Sequence, residues 1–267
     1  MKILRHQQHE LSALEIHDLV GIAGAIGFIL ILWATVSTAF GIPPYLLPSP
    51  LDVAKVAFEA RARIGIDLLV SGGEALAGFA ISCALSFFIA LQMSLHRRAE
   101  RFIFPVLVVI KSFPIVAIAP LIGFWFGYGY AGKVFIAALI SFFPLVVNTI
   151  SGMRDVRQEQ IDFFRVMGAT RWDEITRLRL PHALPSIFSA MRIAGPLAVV
   201  GAVVAEMLGA RQGLGYTLSV TSMTLDIPLN FAALFASAVL GMLIFYGIVA
   251  VERRVLRRFR LSPKQEW

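Results

Sequence analysis

Six long apolar stretches divide this chain, and polar segments separate them. They run over residues 19–40, 68–95, 102–126, 134–152, 186–208 and 231–251. The first, fourth and sixth carry no charge; the others carry Glu74, Lys111, and Arg192 with Glu206. A bilayer core about 30 Å thick needs roughly 20 consecutive apolar residues in a helix, so each stretch is long enough to cross. The runs are continuous rather than alternating, which predicts helices and not a transmembrane barrel. The fold expected is an all-α polytopic membrane protein with six transmembrane helices, both termini on one side. Three segments follow: 1–18 before the spans, a membrane-spanning body over 19–254, and a basic tail over 255–267.

Composition agrees with that pattern. Of 267 residues, 58% are hydrophobic and 15% charged, against roughly 45–50% and 25% in an ordinary soluble domain. That excess rules out a soluble globular enzyme, and disorder with it. The net charge of +7 acts as an orientation signal. Lys2, Arg5, Arg97, Arg98, Arg101, the six arginines between 154 and 179, and the six basic residues from Arg253 to Lys264 lie on one side, 17 in all. Lys55, Arg61, Arg63, Lys133 and Arg211 lie on the other. Positive residues accumulate on the cytoplasmic side, so both termini are expected in the cytoplasm of a bacterial-type cell membrane. No soluble module exists to which a nucleic acid would bind. The lone Cys83 excludes an internal disulfide framework or a cysteine-based metal site. Ser37-Thr38-Ala39 offers a passable signal cleavage site, but the apolar region before it exceeds the ~7–15 residues of a signal core. The first run is therefore expected to stay as an anchor.

The connections carry their own signals. Residues 42–50 hold four prolines and should be stiff and extended. Ser49-Pro50 reads as an N-cap followed by a first-position proline, with Asp52 completing a capping box. The mixed stretch 51–64 then reads as a short amphipathic or connecting helix at the outer surface. Gly127-Tyr128-Gly129-Tyr130-Ala131-Gly132-Lys133 has the glycine spacing of a dinucleotide motif, and that of a phosphate loop up to the lysine. Val134 stands where the latter needs Ser or Thr, and both motifs need a preceding strand. A tight turn between apolar runs three and four is the better reading. The five histidines lie near the cytoplasmic ends, and no catalytic constellation appears.

Residues 153–185 form the longest polar stretch, with six arginines and five acids. Within it stand Asp162, Phe163, Phe164, Met167, Gly168 and Ala169, then Leu178, Leu180 and Pro181. This pattern resembles the coupling loop of binding-protein-dependent ABC importer permeases. There an acidic residue and two alanines are followed three residues later by glycine, and farther on by an aliphatic residue, any residue, leucine and proline. Here Asp replaces Glu, the two phenylalanines replace the alanines, and Leu178 replaces Ile, with the spacing kept. Gly168 should end a short helix. Phe163, Phe164 and Met167 should supply apolar anchors for a groove in a partner, and Pro181 and Pro185 should turn the chain into the fifth span.

The resemblance covers about residues 45–254, including Leu46 to Pro50, Ala75 to Phe79, Ala119-Pro120-Leu121, Phe142-Phe143-Pro144 with Asn148, and Glu206 with Gly213 to Tyr216. It is to the nitrate/sulfonate/taurine-type subgroup. It implies a type I importer permease fold, a second permease copy in a homodimer, ABC ATPase subunits carrying ATP and magnesium, and an external substrate-binding protein. It implies no enzymatic activity, cofactor or metal in this chain. Glu74 and the phenylalanine-rich spans look more like the pyrimidine-precursor and riboflavin permeases.

Intramembrane charges usually face a bundle interior or a water-filled path. Glu74 and Lys111 are expected to pair or to line the path, and Glu206 to hold an outer gate or the loop 209–216. Arg192 sits near the inner end and can snorkel. Phe113, Phe142 and Phe143 lie beside Pro114 or Pro144, where bent helices open a cavity, and with Asn148 complete the candidate path. The function expected is the permease subunit of an ATP-driven importer for a small organic solute such as a sulfonate, nitrate, taurine or a pyrimidine precursor. The alternative is a self-sufficient secondary transporter or channel, against which the lack of an evident inverted repeat or acidic relay argues.

Overall fold

The computed structural model describes residues 21, 24–95, 102–103, 105–109 and 113–259. The regular elements among them are helical: α1 (Gly24–Ala39), α2 (Pro50–Glu59), α3 (Arg61–Leu95), α4 (Ile115–Phe126), α5 (Tyr130–Arg154), α6 (Gln158–Val166), α7 (Arg171–Met207), α8 (Leu214–Thr224) and α9 (Ile227–Phe259), with residues 102–103 and 105–109 helical as well. Four of these, α3, α5, α7 and α9, are long and apolar enough to cross a membrane, while α1 and α4 are shorter apolar helices.

Two expectations about the spans change. The third apolar run is interrupted, because α4 begins only after Pro114, which stands at its N-cap in extended conformation (φ −71°, ψ 96°). Proline lacks the amide a continuing helix needs and disfavours helical geometry in the residue before it. The second and fifth helices also start earlier than their apolar runs, since charged residues such as Arg61, Arg63 and Asp67 continue the same helix. The stretch 51–64 is thus not one helix: α2 ends at Glu59, and Arg61 opens α3.

The chain divides into two compact units, residues 1–61 with 221–232, and residues 62–220 with 233–267. In the first, the Ser49 hydroxyl accepts the Asp52 amide while the Asp52 carboxylate accepts the Ser49 amide, so the capping box forms. Trp33 donates its Nε1–H to the Pro48 carbonyl (3.0 Å) and stacks on Phe231 (5.7 Å between centroids).

In the second unit, α3 buries Ser71, Ala75, Gly78, Ser82, Ser86 and Ala90, mostly small residues at helical spacing. Small residues let backbones approach closely where lipid supplies no hydrophobic drive. A Cβ on Gly78 would lie 2.6 Å from Ala137 Cβ, and one on Gly201 would lie 2.7 Å from Ala137 Cα, so α5 is gripped between α3 and α7. The Ser82 hydroxyl donates to the Ala138 carbonyl (2.5 Å) and receives the Ser141 hydroxyl (2.9 Å), so these interior polar groups are satisfied. Toward the other end, Ala90, Met93, Leu107, Val146, Ile150, Met153 and Ala183 form one apolar cluster.

Candidate functional site

Residues 154–180 form a compact amphipathic segment. Helix α6 buries Ile161 and leaves Phe163, Val166 and Met167 at 61%, 86% and 72% exposure. At roughly 100° per residue, these three share one face, opposite Ile161. Phe164, expected as a third anchor, is half-buried, and Val166 is exposed on that face instead. Asp162 is exposed and accepts the Gln158 Nε2–H (2.9 Å). Gly168 has φ +74°. Its amide donates to the Arg165 carbonyl and the Ala169 amide to the Phe164 carbonyl, each at 3.0 Å, the pair of bonds that closes a Schellman cap.

After this cap, Thr170 and Asp173 form a second capping box that starts α7. The expectation that Pro181 and Pro185 redirect the chain is corrected: α7 passes through both. Residues Glu174–Arg179 adopt a wide π turn, with the Leu180 amide donating to Ile175. A proline ring clashes with the carbonyl four residues back, which for Pro181 is Arg177, inside that widened turn. Leu178 and Pro181 are half-buried, and Leu180 packs on the cluster around Met153.

The intramembrane charges assemble at the other end of the unit. Glu206 is 1% exposed; it accepts the Ser71 hydroxyl (2.7 Å) and the Gly215 amide (2.6 Å). The Ser71 oxygen accepts the Leu214 amide (2.9 Å). Asp67 accepts the Gly213 amide (3.0 Å) and the Thr217 hydroxyl (2.7 Å). Three successive amides of the strap 213–215 are thus fastened by α3 and the end of α7. Gly213 has φ +113°, and a Cβ there would run into the Glu206 carboxylate. Glu74 is buried beside Glu206 and ion-pairs with Lys133, so its cation comes from the start of α5; Lys111 lies outside the described residues. Gly127, at φ +74°, makes the turn from which α5 and Lys133 follow.

Sequence reasoning missed Asp67, although positions 67, 71 and 74 repeat at helical spacing and so mark one face of α3. It also set Arg192 aside as snorkelling, whereas Arg192 ion-pairs with buried Glu252 of α9. The remaining candidates are not gathered at the carboxylates. Phe113 is exposed, Phe142 and Phe143 pack on the cluster around Met153, and the Asn148 side chain donates to the Pro144 carbonyl (2.8 Å). Among the described residues, no group of three or more His, Cys, Asp or Glu is placed to hold a metal ion.

Comparison with known proteins gives this arrangement its context. The chain is 35% identical over 229 residues to the formylaminopyrimidine transport permease protein ThiX of Halalkalibacterium halodurans, covering 85% of this chain and 91% of that one. It is 34% identical to the riboflavin transport system permease protein RibX of Chloroflexus aurantiacus, covering 91% of each. It is 29% identical to the putative aliphatic sulfonates transport permease protein SsuC of Escherichia coli, over 86% of this chain and 88% of that one. Its fold is shared with a chain from inward-facing conformations of the MetNI methionine ABC transporter, at TM-score 0.57 and 20% identity over 70% of this chain and 96% of that one. Residues 82–260 match the family described as binding-protein-dependent transport system inner membrane component, and the chain belongs to that family of ABC importer permeases, a transport component and not an enzyme.

Proposed function

We propose that this permease carries a small organic solute with a flat nitrogen-containing ring from an external binding protein into the cytoplasm. It works as a homodimer with two ABC ATPase subunits that hold the ATP and magnesium. The observation that carries the coupling reading is helix α6, a capped helix with an exposed apolar face of Phe163, Val166 and Met167 at the family's motif. Such a face, left open in the single chain, fits a groove on a partner. Closure of the ATPase pair then moves α6 and, through the continuous α7, the bundle. The ring-bearing solute is supported by relatives: the pyrimidine and riboflavin permeases are 35% and 34% identical, the sulfonate permeases 28% and 29%.

In this reading Asp67, Ser71 and Glu206 fix the strap 213–215 at the outer end, and Phe113, Phe142, Phe143, Asn148 and Lys111 belong to the solute path. The test is reconstitution in liposomes. Uptake should require ATP, the ATPase and the binding protein together, and a pyrimidine-type or flavin-type solute should compete where taurine does not. Uptake driven by an ion gradient without the ATPase would overturn the importer assignment in favour of a secondary transporter.

A further inference from the structure

Behind α6 lies a polar recess of about 280 Å³, lined by Ser94 and Leu95 at the end of α3, Arg165 of α6, and Arg171, Glu174 and Arg179 of α7. Arg165 points away from the apolar docking face: by helical spacing it stands roughly 150° from the centre of Phe163, Val166 and Met167, on the side of buried Ile161. The recess therefore opens between α6 and the ends of the spans, on the side of α6 opposite Phe163, Val166 and Met167.

Among the described residues, its basic groups outnumber its acids. Glu174 is taken by Arg179, whose Nε donates at 2.7 Å, and the same guanidinium donates Nη1–H to the Met153 carbonyl (3.1 Å). Arg165 reaches Glu174 only at 4.0 Å and Asp162 at 3.5 Å. Arg171 donates one Nη1–H to the Leu95 carbonyl (3.2 Å). A guanidinium has five N–H donors and no acceptor, so Arg165, which shares Asp162 and Glu174, and Arg171, which faces no carboxylate among the described residues, bring unused donors to one concave site. The Leu95 and Met153 carbonyls hold Arg171 and Arg179 in place. Guanidinium groups arranged this way match the oxygens of a phosphate. Basic pockets between helix ends on the cytoplasmic side are where anionic head groups bind.

We propose that this recess binds a phosphate group between Arg165 and Arg171, and that in the membrane the phosphate is that of an anionic phospholipid of the cytoplasmic leaflet. The bound group joins the coupling helix to the start of α7, so lipid composition sets how firmly α6 is held against the bundle.

Binding is measured on the full-length chain in detergent, by native mass spectrometry with phosphatidylglycerol or phosphatidylcholine and by equilibrium dialysis with inorganic phosphate. No ATPase is needed, so the outcome is independent of the coupling reading. The R165Q/R171Q pair should weaken phosphatidylglycerol binding at least tenfold and leave phosphatidylcholine unchanged. R165K/R171K, which keeps the charge but not the planar fork, should bind more tightly than R165Q/R171Q and less tightly than the wild type, and so separates a lost site from a misfolded chain. Arginine-dependent binding of inorganic phosphate without preference for phosphatidylglycerol would keep the site and overturn its lipid source. Equal binding by the wild type and R165Q/R171Q, or an equal loss in R257Q/R258Q on the exposed end of α9, would overturn the proposal.

Discussion

Gly168 offers a clean perturbation of α6, the helix proposed to couple to the ATPase. Its φ of +74° is left-handed, and a Cβ placed there meets no atom within 4 Å. Substitution therefore changes backbone strain and nothing in the packing. A left-handed L-residue costs about 1–2 kcal/mol, and the cost falls on the two bonds that close α6, from Gly168 to Arg165 and from Ala169 to Phe164. If the strained end frays, the fraction of chains presenting the docking face falls, and the apparent affinity falls with that fraction. The ceiling is the strain itself, a factor of about 5–30. Asparagine tolerates this conformation better than alanine, and a β-branched residue tolerates it least. The expected order of ATPase affinity is therefore wild type, G168N, G168A, G168V, with G168A weakened up to about 30-fold by that ceiling. The assay is equilibrium binding of labelled ATPase to purified permease in nanodiscs. G247A, at an exposed glycine of α9 with open space around it, is the control and should bind as wild type. Wild-type affinity in G168A and G168V together, or an order that follows side-chain size with G168N below G168A, would refute the reasoning.

Two further outcomes follow from the interior charges. E252L strands Arg192 in the bundle and should destabilise the chain by about 3–5 kcal/mol, while R192M/E252L, an apolar pair of similar volume, should recover most of the loss; thermal unfolding in detergent reads both, and a double variant no better than the single one defeats the pairing argument. E206A leaves the buried Gly215 amide without its acceptor and should cost about 1–3 kcal/mol, whereas E206Q keeps an acceptor for it and should cost less; equal losses in the two would show that charge rather than hydrogen bonding holds the strap.

What the sequence disclosed was local. The apolar runs were legible because lipid demands about 20 apolar residues in a row, and the end of α6 because the glycine that caps it lies within one turn of its last residues. The Ser49 capping box was read for the same reason, since both partners sit in one turn. Boundaries were not legible: apolarity ends where lipid ends, but the backbone bonds of α3 continue through Arg61 and Asp67, and Pro181 is absorbed by a wide turn that no residue type announces.

The charge partners were the least visible, and the reason is general. A lone charge inside a span must find a counter-charge or hydrogen-bond partners, because the cost of leaving it bare is several kcal/mol. The sequence shows that such a need exists at Glu74, Arg192 and Glu206, but not where it is met. Lys133 and Glu252 each lie about 60 residues from their partners, on another helix, in stretches that the positive-inside count treats only as flanks. Depth narrows the choice: Arg192 and Glu252 both stand toward the ends of their runs that the count places inside, and Glu74 and Lys133 toward the ends it places outside. Opposite charges at matched depth on different helices are therefore candidate pairs on the strength of the amino-acid sequence alone. In this chain that rule selects Glu74 with Lys133 over Glu74 with Lys111, because Lys111 belongs to the inner half of its run.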